Sequence, residues 1–293
     1  MFSGSYVALV TPFKNNKVDF DTLKKLVEFH IKNGTSGIAP CGTTGESATL
    51  NLEEHEAVIE TVVKTVHGRI KVIAGTGSNN TVEAIELTKF AKKAGADGVL
   101  LVSPYYNRPT QKGLYLHFKS IADKVDIPIM LYNIQSRTGV NIEPETIAKL
   151  VKDCPQIVAV KEASGSIAQM SRIKYLCPDI DLLSGDDELT LPVLSIGGCG
   201  VVSVVANIVP KDVAETVSSY LKGNIEKAKK LHYKLLPLTK AMFIETNPIP
   251  VKTAMGILKM CSPELRLPMS SMEEKNVENL KKTLQHYSFL DAT

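Results

Sequence analysis

Between residues 6 and 221 a short apolar segment is followed by a longer amphipathic one eight times over, and that order leaves few folds open. The apolar segments fall at 6–10, 37–40, 71–74, 98–102, 127–131, 157–160, 180–183 and 201–205. They lack a clean in–out alternation, as parallel strands covered on both faces should. The intervening segments carry helical periodicity. In 20–32, Leu23, Leu26, Val27, His30 and Ile31 share one face. Further helices are predicted at 52–66, 82–94, 113–125, 144–152, 166–176, 189–196 and 212–221. Glu53, Glu54 and Glu56 suit the N-terminal end of the second, and Gly95 stops the third. Strict alternation fits a doubly wound sheet or a closed barrel. Eight repeats favour the α/β class in its (β/α)8 TIM barrel form, which typically takes ~250 residues.

From residue 224 onward no strand signal remains, and helices are expected at 225–241, 249–260 and 271–289. Ser271-Met272-Glu273-Glu274 has the form of a capping box ahead of the last. The expected organisation is a catalytic barrel over residues 1–223 and a C-terminal helical appendage over 224–293. Residues 189–210 hold no charge, but Pro192, the Gly197-Gly198-Cys199-Gly200 cluster and Asn207 interrupt them. A buried helix, a glycine turn and a buried strand fit better than a membrane span. A net charge of +3 with no basic arm gives no reason to expect nucleic acid as a partner. Five scattered cysteines without a C-x-x-C argue against a disulfide framework and for a reducing, cytoplasmic setting. The first residues lack the positive segment of a signal peptide.

Barrel enzymes work at the C-terminal ends of their strands, so polar residues just beyond each apolar run are the candidates. They include Thr43 and Thr44, Thr76, Ser103, Tyr105 and Tyr106, Tyr132 and Asn133, Lys161, and Ser184 with Gly185. Lys161 closes the run Ile157-Val158-Ala159-Val160. Desolvation there would disfavour the ammonium form and leave a nucleophilic amine able to form a Schiff base with a ketone. A lysine at a strand end also snorkels to water without doing chemistry. Tyr132 precedes Lys161 by 29 residues, close to one ~30-residue βαβ unit, so the two should occupy equivalent positions on adjacent strands. A phenol beside an amine can carry protons in carbinolamine formation and dehydration; a core tyrosine with one satisfied hydroxyl is the other reading.

Gly42-Thr43-Thr44-Gly45-Glu46 reads either as a tight strand–helix turn or as a cradle of N–H groups and hydroxyls for a small carboxylate. Arg137, soon after the fifth apolar run, is a surface arginine or a bidentate carboxylate clamp. No H-x-x-x-H, no zinc spacing, no complete dinucleotide fingerprint and no Walker A sequence occurs. Neither a metal nor a cofactor is therefore expected, and an active-site amine would supply its own electrophile chemistry.

Six stretches together resemble the dihydrodipicolinate synthase family, in its order and at its spacings. They are Gly42-Thr43-Thr44-Gly45-Glu46-Ser47, Ser103-Pro104-Tyr105-Tyr106-Asn107-Arg108-Pro109, Leu131-Tyr132-Asn133-Ile134, Ser136-Arg137-Thr138-Gly139, Val160-Lys161-Glu162-Ala163 and Ser184-Gly185-Asp186-Asp187. The resemblance covers essentially the whole chain. It implies condensation of pyruvate with aspartate 4-semialdehyde, the first committed step toward diaminopimelate and lysine. It casts Lys161 as the imine-forming residue and Tyr132, Thr43 and Tyr106 as proton carriers, Tyr106 reaching a partner subunit's site. Thr43 and Thr44 would hold the pyruvate carboxylate and Arg137 that of the semialdehyde. Backbone carbonyls near Gly185 and Val202 would line the pocket.

Arg137 separates this reading from sialic-acid lyases and related sugar-acid aldolases, which share the lysine and tyrosine; a non-catalytic barrel that senses pyruvate-like acids is a third reading. Gln135 stands where the family usually has proline. The family often binds lysine as a feedback inhibitor, and Ser47, Ala48, His55, Asn79, Glu83 and Tyr105 match the sensitive pattern. Leu52 replaces a common histidine there, which implies weak or moderate inhibition. A homotetramer built as a dimer of dimers is expected.

Overall fold

The computed structural model describes residues 1–287 and 289. Eight parallel strands close into one barrel: β1 Gly4–Ala8, β2 Gly37–Ala39, β3 Lys71–Gly75, β4 Gly98–Val102, β5 Ile129–Asn133, β6 Ile157–Glu162, β7 Asp181–Ser184 and β8 Gly200–Ser203. Each pairs with its neighbours in sequence, and β1 closes the ring by pairing with both β8 and β2. Helices α1 Phe20–Lys32, α2 Leu52–Val66, α3 Thr81–Ala94, α4 Gln111–Lys124, α5 Pro144–Asp153, α6 Ile167–Leu176, α7 Thr190–Ser195 and α8 Pro210–Leu221 follow the strands in turn. After a turn at Gly223 come α9 Ile225–Met242, α10 Ile249–Ile257 and α11 Glu274–His286. The expected TIM barrel with helical appendage is the fold observed. No described helix is long and apolar enough to cross a membrane.

Two apolar layers hold the barrel. The lumen is filled by Tyr6, Ala8, Ile73, Leu100, Met130, Ala159, Leu183 and Val202, with Phe2 edge-on to Tyr6 at the closed end. The outer layer packs strand residues such as Val7, Ile38, Leu101, Leu131 and Val160 against the helices. A fully buried side chain of this size contributes about 1.5–3 kcal/mol relative to exposure. Gly37 is required by this packing, because a Cβ there would lie 2.2 Å from the Tyr6 ring.

Several boundaries differ from the sequence reading for identifiable reasons. β5 starts at Ile129, after Pro128, which has no N–H for the ladder. β5 ends at Asn133, and β6 runs one residue beyond Lys161 to Glu162, so the polar residues that close the two apolar runs lie inside the strands. β1 begins at Gly4, whose N–H donates to the Cys199 carbonyl at 2.9 Å. A small hairpin, Phe13–Lys14 with Lys17–Val18, was not expected; Asn15 and Asn16 both take positive φ and make its turn. The expected capping box before α11 does not form. Its N-cap is Glu273, whose N–H donates instead to the Glu245 carboxylate at 3.0 Å. Residue 288 of that expected helix lies outside the described residues.

Candidate active site

Tyr132 and Lys161 are direct register partners on β5 and β6. Side chains alternate along a strand. Met130 and Tyr132, like Ala159 and Lys161, therefore face the lumen, while Leu131 and Val160 face the helices. Each of the pair is 5% exposed, and the Lys161 Nζ lies 3.9 Å from the centroid of the Tyr132 ring. Among the described residues Lys161 forms no ion pair. The lysines of the surface pairs are well exposed, and the other buried one, Lys252, has Glu46 at 2.7 Å. Gly185, after β7, leaves room for the lysine: a Cβ there would stand 3.0 Å from Lys161 Cε and 2.8 Å from the Ala163 Cβ. Val202 lies in the same lumen layer, paired in register with Tyr6 of β1.

One residue further along the same strands, facing outward, Asn133 and Glu162 are also register partners. Glu162 is fully buried. It accepts from Asn133 Nδ2 at 3.1 Å, from the Ser164 N–H at 2.7 Å and from Gln169 Nε2 at 3.1 Å. Asn133 also donates to Asn141 Oδ1 at 2.7 Å and accepts from the Ile142 N–H at 3.0 Å. This network fixes the loop after β5 to β6. Arg137 stands in that loop, on a one-turn helix Gln135–Thr138, and donates from Nη2 to the Asn247 carbonyl at 3.0 Å.

The Gly42–Glu46 segment is folded on itself. The N–H groups of Gly45 and Ser47 donate to the Gly42 carbonyl and that of Glu46 to the Thr43 carbonyl, at 3.1–3.3 Å. The Gly45 and Glu46 amides of the turn are therefore spent, and the carboxylate cradle expected from it is reduced to the Gly42, Thr43 and Thr44 amides and the two threonine hydroxyls. The Thr44 hydroxyl is buried and accepts from Asn247 Nδ2 at 3.0 Å. Asp187 ties the end of β7 to that of β8: its carboxylate accepts from Ser203 Oγ and from the Val204 N–H at 2.9 Å. Burial pushes this carboxyl up to about 6, against the pull of those donors.

A cavity of about 370 Å³ opens beside the barrel mouth, lined among others by Thr43, Ser47, Ala48, His55, Glu83, Tyr105 and Arg137. Lys161 and Tyr132 are not part of its wall; they lie in the lumen. Five of the six residues matching the effector pattern line the cavity, and Asn79 joins it indirectly by donating to the Tyr105 carbonyl at 3.2 Å. His55 Nε2 sits 2.7 Å from the Gly75 carbonyl, and burial lowers its pKa, keeping the ring neutral. Tyr106 is not brought to the lysine within this chain: it is 90% exposed, on backbone with φ +69°. Cys41 is buried, its thiol against the His55 carbonyl, in keeping with a packing role. Among the described residues no three His, Cys, Asp or Glu side chains converge as a metal site.

The sequence reading passed over Asp187, Asn247 and Lys252 as site residues. Asp187 was quoted only within a motif; Asn247 and Lys252 lie about 200 residues from the turn they contact.

Fold and site together define a (β/α)8 barrel of the type that presents a buried lysine, beside a tyrosine, at the C-terminal ends of its strands. The Dihydrodipicolinate synthetase family profile matches residues 1–287. A 4-hydroxy-tetrahydrodipicolinate synthase of Endomicrobium trichonymphae is 62% identical over 290 residues, covering 99% of this chain and 100% of that protein. The crystal structure of dihydrodipicolinate synthase from Aquifex aeolicus superposes with a TM-score of 0.97 at 52% identity, over 98% of this chain and 99% of that one. A lysine-bound structure of the enzyme from Cyanidioschyzon merolae gives 0.96 at 43% identity, over 99% of both chains. The chain belongs to the dihydrodipicolinate synthetase family.

Proposed function

We propose that this protein condenses pyruvate with L-aspartate 4-semialdehyde to give 4-hydroxy-tetrahydrodipicolinate and one water, the first committed step toward diaminopimelate and lysine. Full-length identity to synthases of that name supports the reaction. The observation that carries the residue roles is the Lys161 amine, buried, without a counter-ion among the described residues, and 3.9 Å from the Tyr132 ring.

The Lys161 amine adds to the pyruvate ketone, and the carbinolamine loses water to an iminium. Tyr132 gives and takes the protons, relayed through Thr43 and through Tyr106 of a neighbouring copy. Thr43 and Thr44 hold the pyruvate carboxylate on their free amides and hydroxyls. The iminium acidifies the pyruvate methyl; loss of a proton gives the enamine, whose carbon attacks the aldehyde of the second substrate. Arg137 grips the carboxylate of that substrate at the cavity wall. The substrate's own amine then attacks the iminium carbon, closes the ring and frees Lys161. Carbonyls near Gly185 and Val202 line the space around the adduct. No metal or organic cofactor enters the scheme.

Residues 1–223 form the catalytic barrel in this reading and 224–293 the helical domain that braces it. The proposed setting is the cytoplasm, as a dimer of dimers. Lysine acts as a weak or moderate effector through Ser47, Ala48, His55, Asn79, Glu83 and Tyr105. A coupled condensation assay with both substrates tests the function: turnover is expected only with pyruvate and the semialdehyde together. Cleavage of sugar acids in place of condensation would assign the chain to the lyases instead.

A further inference from the structure

Glu46 and Lys252 form an ion pair sealed from solvent, 2.7 Å apart, the lysine 0% and the glutamate side chain 2% exposed. They come from opposite ends of the chain: Glu46 ends the Gly-Thr-Thr-Gly-Glu turn and Lys252 lies on α10. The lysine also donates to the Thr11 carbonyl at 2.9 Å, and the Thr11 hydroxyl donates to the Gly45 carbonyl at 2.7 Å. The second Glu46 oxygen accepts from the Arg266 N–H at 3.2 Å. The Lys252 ammonium and the Arg266 guanidinium both lie over the Phe13 ring, 4.2 and 4.3 Å from its centre. Five residues before Lys252, Asn247 holds the Thr44 hydroxyl and accepts from Arg137. The stretch Asn247–Lys252 thus grips both sets of groups assigned above to the substrate carboxylates.

Stability alone does not explain such a pair. Removing two charges from water is expensive, and a well-packed apolar pair at such a position is often as stable or more so. Glu46 moreover sits at φ +54°, a conformation non-glycine residues seldom adopt unless the surroundings enforce it. The position fits a different task, which is holding one residue of a self-bonded turn at a fixed place. Among the remaining binding groups of that turn, Thr44 and Thr43 lie two and three residues away.

We infer that Lys252 and Glu46 are positioning residues that set the pyruvate-binding turn from the C-terminal helical segment, making that segment part of the catalytic apparatus. This rests on the reading of Lys161 as the imine-forming residue, so wild-type protein trapped with borohydride in pyruvate is the control. Glu46→Asp withdraws the carboxylate by one methylene. The double variant Glu46→Gln with Lys252→Met removes both charges and leaves neither one stranded. Each is assayed for folding by circular dichroism, for half-saturating pyruvate in trapping, and for the KM of each substrate.

The expected result is folded protein whose half-saturating pyruvate rises about 10-fold or more in both variants, since small displacements of a binding group are that costly. The KM of the semialdehyde should move much less, because the Arg137 contact to Asn247 is intact. A folded double variant that traps pyruvate at the wild-type half-saturation overturns the inference, and so does failure of both variants to fold, which would mark the pair as purely structural. Absence of trapping in the wild type would refute the imine reading itself.

Discussion

Lys161 is a lysine that solvent barely reaches and that no carboxylate among the described residues pairs with, a costly placement for a charged amine. Lys161→Ala should therefore abolish nearly all turnover while leaving a folded barrel, checked by steady-state assay beside circular dichroism. Tyr132→Phe keeps the ring under the amine and removes only the hydroxyl. Loss of a proton carrier costs about 10²–10⁴-fold, and a fall in kcat of that size is expected. Gly185→Ala sets a Cβ 3.0 Å from Lys161 Cε; the lysine must shift, and the rate of adduct formation should drop at least about 10-fold. These three positions were legible in the sequence because their signal is local: a polar residue ending an apolar run, or a glycine just after one. Asp187 and Lys252 were not legible as site residues, since each matters through a partner that only the closed fold brings near. The turn at Gly42 was half legible, because its residues left a tight turn and a carboxylate cradle both open and did not show that the Gly45 and Glu46 amides bond within it.

Helix α2 carries His55 and begins with a capping box in which Asn51 accepts from the Glu54 N–H and Glu54 accepts from the Asn51 N–H. Asn51→Ala should cost about 1 kcal/mol in urea unfolding, with little effect on kcat. Glu53 and Glu54 stand in its first turn as the sequence predicts, and the asparagine cap adds a local signal beside them. At α11 such a signal misleads. Ser271 and Glu274 have the spacing of a box, yet Glu245 from beyond α9 takes the N-terminal amide, a tertiary contact that local pattern does not contain.

Helix α1 holds His30 fully buried, its Nδ1 against the Thr35 hydroxyl and its Nε2 without a partner among the described residues. Burial lowers its pKa to about 3. The unfolded chain therefore takes up a proton below its ordinary ~6.5 that the folded state refuses, and stability is lost progressively as pH falls from there toward 3. His30→Gln should flatten the fall in unfolding free energy between pH 6.5 and 4 by close to one proton, and an unchanged slope would show that this ring titrates freely in the fold.

At the scale of the molecule, the eightfold alternation made the barrel and its strand order readable, because chirality and short connections leave little choice once the repeats are counted. What the pattern could not supply was the route by which α10 and its approach return to the barrel mouth, a path set by contacts some 200 residues apart. Tyr106 is 90% exposed, as a side chain bound for a neighbouring copy's site would be, so assembly should govern activity. Sedimentation of the working enzyme is expected to show a dimer or larger, and a fully active monomer would remove Tyr106 from the proton relay. Lysine added at millimolar concentration should inhibit partially, acting on the cavity that Ser47, His55 and Glu83 line; no response would dissociate that cavity from control.

The central claim is that one interior amine bonds covalently to a 2-oxo acid, and hydride reduction in excess pyruvate followed by peptide mass spectrometry tests it most directly. The account predicts a single stable adduct on the peptide containing Lys161, missing in Lys161→Ala. Folded protein that emerges from that treatment with Lys161 unmodified would contradict it.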